Sequence, residues 1–147
     1  MESEQRYSPD ERLDFSVIIA IFRAMQTVRK SESITLERGH LTSAQFSVLE
    51  TLYHKGPLRV CELLEKTLSS GGNMTVVLKN LQQEGLITKI RDPEDGRAFV
   101  VQLTGKGFQL IEGLFPDHIK VVSDLLCPLE DREKKELVRI LKKLNRK

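Results

Sequence analysis

Residues 60–103 read VCELLEKTLSSGGNMTVVLKNLQQEGLITKIRDPEDGRAFVVQL. The spacing of apolar residues within this stretch decides the fold. Val60, Leu64 and Leu68 recur at helical spacing, with Glu62, Glu65 and Lys66 outward, which predicts a short helix from Val60 to about Leu68. Ser69-Ser70-Gly71-Gly72 ends it with two capping hydroxyls and two residues of free backbone. A second helix is predicted over 73–84, with Met74, Val77, Leu78 and Leu81 inward. Gly85 is placed to take the left-handed conformation that closes a helix, and Leu86 to pack back on Leu81. Helix, short turn, helix is the unit that lays its second helix in the major groove of DNA.

The outward face of that second helix carries Asn73, Thr75, Val76, Lys79 and Asn80. An ordinary solvated face holds more Glu and Lys. Short amides and hydroxyls, one methyl-bearing residue and one cation suit base edges, thymine methyls and phosphates instead. Ser69 and Ser70 stand in the turn just before it and join the candidate contacts. Downstream, 86–91 alternates loosely as a strand, and Phe99, Val101 and Leu103 alternate cleanly as another. Between them lies the turn-rich tip Asp92-Pro93-Glu94-Asp95-Gly96-Arg97. Lys89, Arg91 and Arg97 place cations on this ribbon, so it reads as a DNA-contacting wing rather than a plain hairpin.

Working outward, Ser8-Pro9-Asp10-Glu11 opens a long first helix: serine caps, proline suits the first helical position, and Glu11 returns a bond to the cap. Leu13, Val17, Ala20, Ile21, Ala24, Met25 and Val28 recur at helical spacing, and Phe15, Ile18, Ile19 and Phe22 widen the stripe. A helix apolar on most sides must be covered on most sides. After a polar stretch from Ser31 to His40, Thr42 and Gln45 form a capping box and Leu41 can staple to Phe46. Phe46, Leu49, Leu52 and Tyr53 give this helix its buried side, and Gly56-Pro57 stops it. Phe108, Ile111, Phe115, Ile119, Val122 and Leu126 form a later apolar stripe, with a kink expected at Pro116. Cys127-Pro128 breaks it, and a last helix carries Leu137, Ile140, Leu141 and Leu144 on one side.

The chain of 147 residues is long enough for one good hydrophobic core. Its net charge of +2 and pI near 8.6 permit nucleic-acid binding without arguing for it, so arrangement must carry the case. No apolar run approaches the ~20 residues that cross a bilayer, and the acidic start from Met1 to Ser8 is unlike a secretory leader. A cytoplasmic location is expected. Two cysteines, Cys61 and Cys127, make no disulfide framework.

From Leu68 through Gly107 the string LSSGGNMTVVLKNLQQEGLITKIRDPEDGRAFVVQLTGKG resembles the multiple antibiotic resistance regulator (MarR) family. The matching parts are Ser70-Gly71, the helix from Asn73 to Glu84, Gly85-Leu86, Asp95-Gly96-Arg97, and Leu103-Thr104 with Gly107. Phe115-Pro116-Asp117-His118 is similar to one branch of that family. The resemblance implies a mostly α fold with a small β wing: a winged helix-turn-helix at 42–104, flanked by dimerisation helices at 1–38 and 105–147. It further implies a homodimer on a pseudo-palindromic operator, repressing until a small aromatic ligand or another signal releases it. Arg97 would enter the minor groove with Asp95 orienting it. Gly96 stands where a second basic residue is common, and Arg59 where a hydroxyl cap is frequent before the short helix.

No phosphate loop, His-Glu-x-x-His zinc helix or Cys-x-x-Cys pair is present, so neither enzyme chemistry nor a cofactor is expected. His40, His54 and His118 fall in separate segments, and no metal site is assigned to them. Cys61 reads first as a small core residue. Two other functions remain: a winged-helix module that binds protein rather than DNA, and a cysteine-based redox sensor. A ligand cleft lined by Phe22, Met25, Phe46 and Tyr53 is expected, since methionine beside aromatics suits planar molecules.

Overall fold

A computed structural model describes residues 6–67 and 73–145. The elements in order are α1 (Pro9–Gly39), α2 (Ser43–Lys55), β1 (Leu58–Arg59), α3 (Val60–Lys66), α4 (Met74–Gln83), β2 (Ile87–Arg91), β3 (Phe99–Leu103), α5 (Gly105–Leu126) and α6 (Asp131–Leu144). The fold is therefore mostly helical with a small antiparallel sheet, as the pattern predicts. The chain divides into two units: residues up to 33 with those from 120 onward, and residues 34–119.

In the second unit the sheet has the order β1-β3-β2. Ile87 to Arg91 pair with Leu103 to Phe99, while Leu58 and Arg59 pair with Val101 and Val100. The central strand is thus sandwiched only near the core, and the outer part of the hairpin projects without a third strand. That explains why Val101 is buried while Phe99, two residues along on the same face, is exposed. Val48 and Leu49 of α2, Leu63 of α3, Leu78 and Leu81 of α4, Ile87 and Ile111 join Val101 in one core.

Local signals behave as expected. Ser8 and Glu11 exchange hydrogen bonds of 3.2 and 2.7 Å at the start of α1. Thr42 and Gln45 do the same at 3.2 and 2.9 Å, with Leu41 and Phe46 both buried beside them. Gly56 takes a positive φ of 76° at the end of α2.

The polar stretch from Ser31 belongs to α1, which continues to Gly39. Ser31 and Ser33 turn their hydroxyls back onto the carbonyls of Thr27 and Lys30, so polar side chains ride inside the helix. In α3 the inward residue is Leu63, fully buried, and not Leu64, which is 49% exposed. Neighbouring helical residues point about 100° apart, so Val60 with Leu63 defines the buried edge and Leu64 falls off it. The same rotation exposes Cys61, which is no core residue. On α5 the buried row is Gly107, Ile111, Leu114 and His118, while Phe108 and Ile119 are exposed. Pro116 lies inside α5 without ending it.

In the first unit, Leu13, Phe15, Ile18, Ile19 and Phe22 of α1 are exposed, as are Leu137, Ile140, Leu141 and Leu144 of α6. Leu129, Leu137 and Ile140 line a groove of about 680 Å³ with Arg132, Glu136 and Arg139. Among the described residues, no helix is long and apolar enough to cross a membrane.

Candidate nucleic-acid interface

Helix α4 has one buried side and one open side. Leu78 and Leu81 are sunk in the core with Met74 and Val77 against it, whereas Asn73, Thr75, Val76, Lys79 and Asn80 are all exposed. Asn73 is also structural, because its side chain accepts the Thr75 N–H at 3.1 Å and caps the helix. Ser69 and Ser70 lie outside the described residues.

The far end of α4 is fixed by two bonds. Leu86 donates its N–H to Leu81 O at 2.9 Å and Gly85 to Gln82 O at 3.0 Å, with Gly85 at φ 72°. This is the Schellman arrangement, and the buried Leu81 and Leu86 supply its apolar contact. Thr104 then links the helix end to α5. Its hydroxyl donates to Gly85 O at 2.6 Å and accepts the Gly107 N–H at 3.0 Å, while Lys106 Nζ donates to Glu84 O at 2.8 Å.

The hairpin tip is held by backbone and carboxylate together. Asp92 donates its N–H to Ala98 O at 2.9 Å, and its Oδ1 accepts the Glu94 N–H at 2.9 Å. Asp95 Oδ1 accepts the Arg97 backbone N–H at 3.0 Å. Asp95 thus holds Arg97 through the main chain, and the Arg97 side chain stands exposed at the tip. Lys89 Nζ lies 4.8 Å from the Phe99 ring centre and the Arg91 guanidinium 5.8 Å from it, so both cations flank one exposed aromatic. Arg91 Nη1 also reaches Gly96 O at 3.5 Å.

Arg59 does not cap α3, as its guanidinium has no acceptor; Glu62 receives the Arg59 N–H at 2.9 Å instead. The Arg59 side chain turns to the hairpin, with Nε 2.6 Å from Asp92 Oδ2. No local sequence pattern points to this pair. Asp92 has its carboxyl held below the usual carboxylate value, first by the Glu94 N–H and also by the Arg59 charge, against the opposing effect of burial.

The four residues expected to line a ligand cleft belong to two different units. Phe22 and Met25 are exposed in the first unit, and Phe46 and Tyr53 lie in the second. Around the latter pair the structure gathers rings that periodicity did not join. The Phe46 ring is 4.8 Å from His118, Tyr53 is 5.3 Å from Phe108 and 5.6 Å from Phe115, and His54 is 4.8 Å from Phe115. His118 is buried, with Nε2 3.7 Å from Glu50 Oε1 and Nδ1 without a hydrogen-bond partner among the described residues. His54 and His118 therefore both pack against the Phe115 ring. Among the described residues, no group of three or more His, Cys, Asp or Glu is placed to hold a metal ion.

This helix-turn-helix and hairpin match known regulators. The sequence model of the MarR family matches residues 41–99, from the residue before the α2 cap to the first residue of β3. Over this region the chain resembles regulators of the MarR family. It is 29% identical over 128 residues to the HTH-type transcriptional regulator MhqR of Bacillus subtilis, covering 87% of this chain and 88% of that protein. Among solved structures, BpsR of Bordetella bronchiseptica, whose DNA binding is regulated by 6-hydroxynicotinic acid, is 26% identical with a TM-score of 0.77, covering 89% of this chain and 99% of that one. A MarR-like transcription regulator from Bacillus cereus has a TM-score of 0.78 at 19% identity, covering 91% and 96%, which bears on the fold alone. Like the regulators that it resembles, the chain is a DNA-binding transcriptional regulator, and the work of that family is not enzymatic.

Proposed function

We propose that the chain acts as a homodimeric repressor that reads a pseudo-palindromic operator with α4 and the wing, and releases it on binding a small aromatic ligand. The observation that carries the DNA-reading part is the open face of α4. Asn73, Thr75, Val76, Lys79 and Asn80 stand exposed on a helix whose opposite side is anchored in the core. Lys89, Arg91 and Arg97 then supply charge along the wing for phosphates and the minor groove. Ser69 and Ser70 complete the proposed contact set from the sequence pattern alone.

Dimerisation is supported by the exposed apolar residues of α1 and α6 in the first unit, since patches of that kind seek a partner. Two copies in one cytoplasmic dimer would present two reading helices to successive turns of DNA. Ligand relief is supported by the rings gathered around Phe46 and Tyr53 and by the buried Nδ1 of His118, which no described residue satisfies. A planar phenol or aromatic acid could stack there and offer that nitrogen a polar partner. The exposed Cys61 and Cys127 keep a thiol-based signal as the second reading.

The experiment is a fluorescence-anisotropy titration with the DNA upstream of the chain's own gene and a scrambled duplex, over a salt series. Specific binding that weakens steeply with salt supports the reading. Equal, weak binding to both duplexes at all salts favours a protein-interaction module. Repeating the titration with a panel of phenols and aromatic acids, and separately with peroxide, separates the two signals.

A further inference from the structure

The wing leaves the body of the second unit as two strands, because β1 pairs with β3 only at Leu58 and Arg59. An isolated two-stranded ribbon is marginal in water. Something must fix the direction in which its tip points. Arg59 and Asp92 meet the requirement geometrically. Arg59 sits on β1 at one edge of the sheet, and Asp92 directly follows β2 at the other edge, so their contact bridges the central strand. Asp92 uses one carboxylate oxygen to fold the tip, accepting from Glu94, and the other to take Arg59 at 2.6 Å. Its side chain is only 8% exposed, a setting in which a carboxylate left without a cation is costly.

We propose that Arg59 is a positioning residue for DNA binding: it holds the base of the wing through Asp92 and thereby sets where Arg91 and Arg97 stand relative to α4. This rests on the reading of the wing as a DNA contact. Arg59 is a poor candidate for touching DNA itself. Asp92 occupies its Nε, and Asp95 and Glu62 also lie close enough to act on its charge. A cation so neutralised has little left for a phosphate. The tether and a direct phosphate contact therefore predict opposite effects of removing the Asp92 charge.

The test uses the full chain and the DNA upstream of its own gene. The variants are Arg59→Met, which retains the apolar stem, Asp92→Asn, the double variant, Arg59→Lys and Arg97→Ala. Arg59→Met and Asp92→Asn should each weaken operator binding roughly three- to tenfold, the scale of coupling between neighbouring residues, and the double should be no worse than the weaker single. Arg59→Lys should recover part of the loss. Adding Arg97→Ala to Arg59→Met should cost less than Arg97→Ala alone, which a loss of general stability would not produce. Hydrogen exchange at the Asp92 amide, bonded to Ala98 O, should quicken in Arg59→Met without DNA present, so the readout survives if Asp92→Asn folds poorly. Unchanged or tighter binding by Asp92→Asn overturns the proposal in favour of a phosphate contact. A loss in Arg97→Ala with none in Arg59→Met overturns the tether alone, whereas no loss in Arg97→Ala overturns the wing reading on which it stands.

Discussion

The hydroxyl of Thr104 donates to the carbonyl of Gly85 across 2.6 Å and accepts the Gly107 N–H at 3.0 Å. One small side chain thus closes the turn after α4 and caps the first turn of α5. The residues between, 86–103, are the hairpin itself, so its entrance and exit are pinned at a single point. Thr104 N–H donating to Leu86 O at 3.1 Å tightens the same junction. A movement at the start of α5 therefore bears on the end of α4 through direct bonds.

That junction leaves no room at Gly107. A Cβ there would stand 2.0 Å from the Leu86 carbonyl oxygen, a backbone atom that can move only by disturbing the pinned turn. Gly107→Ala should lose about 1–3 kcal/mol of stability or more, as overpacking does. Gly113, on the same helix with open space around its Cβ position, is the control. Gly113→Ala should gain about 0.5–1 kcal/mol by helix propensity. Urea denaturation of both variants checks the pair, and equal effects would refute the steric account.

Asn73 carries two roles that substitution can separate. Its side chain caps α4 by accepting the Thr75 N–H, and it opens the face proposed to read bases. Asn73→Ala should cost about 1 kcal/mol of stability for the cap and also narrow the gap between operator and scrambled DNA. Asn73→Ser keeps a capping oxygen but loses the amide. It should restore the melting temperature and leave discrimination impaired. Recovery of both properties together would mean that the amide reads nothing.

Much of this was legible because it is local. Capping boxes at Ser8 and Thr42, the glycine stop at Gly85 and the open face of α4 depend on residues a few positions apart. The short strand β1 was not legible, since no periodicity shows in Leu58-Arg59 and its pairing comes from a strand far along the chain. Leu63 and Leu64 are adjacent leucines, and only packing against the sheet decides which one turns inward. The rings of Phe46, Tyr53, Phe108, Phe115 and His118 come from α2 and α5, so their assembly is a product of tertiary structure. Ser31 and Ser33 interrupt the apolar pattern of α1 yet stay helical, because their hydroxyls bond to carbonyls of the preceding turn.

The Asp92 carboxyl sets a pH window. Its folded value lies below the ordinary 3.8, chiefly through the Glu94 N–H and with help from Arg59. A carboxylate depressed in the folded state stabilises above its unfolded pKa, and that contribution disappears as pH falls through the lower folded value. Asp92→Asn should therefore be less stable than the parent chain at neutral pH, and the difference should close in acid below that depressed value. Above about pH 5 the difference should be flat. Denaturation curves for both proteins at neutral and acidic pH measure it; a gap that persists unchanged in strong acid would exclude the carboxylate as its source.

Arg97 gives the most direct test of how the wing is used. Its side chain stands exposed at the tip, while its backbone N–H is fixed by Asp95 at 3.0 Å. The charge is therefore presented to solvent on an ordered main chain. Arg97→Ala should weaken operator binding and reduce the salt slope by about one, because one counterion fewer is released. The loss should be largest on duplexes with A·T-rich flanks, whose narrow minor grooves concentrate negative potential. Asp95→Ala should act as a milder form of the same change, since it loosens the turn but leaves the arginine in place. Neither variant should alter the melting temperature by more than about a degree or two, as both side chains are exposed. Anisotropy titrations at several salt concentrations, on duplexes differing only in their flanks, provide the measurement. Equal losses on A·T-rich and G·C-rich flanks would place Arg97 on the phosphates and take the minor groove out of the mechanism.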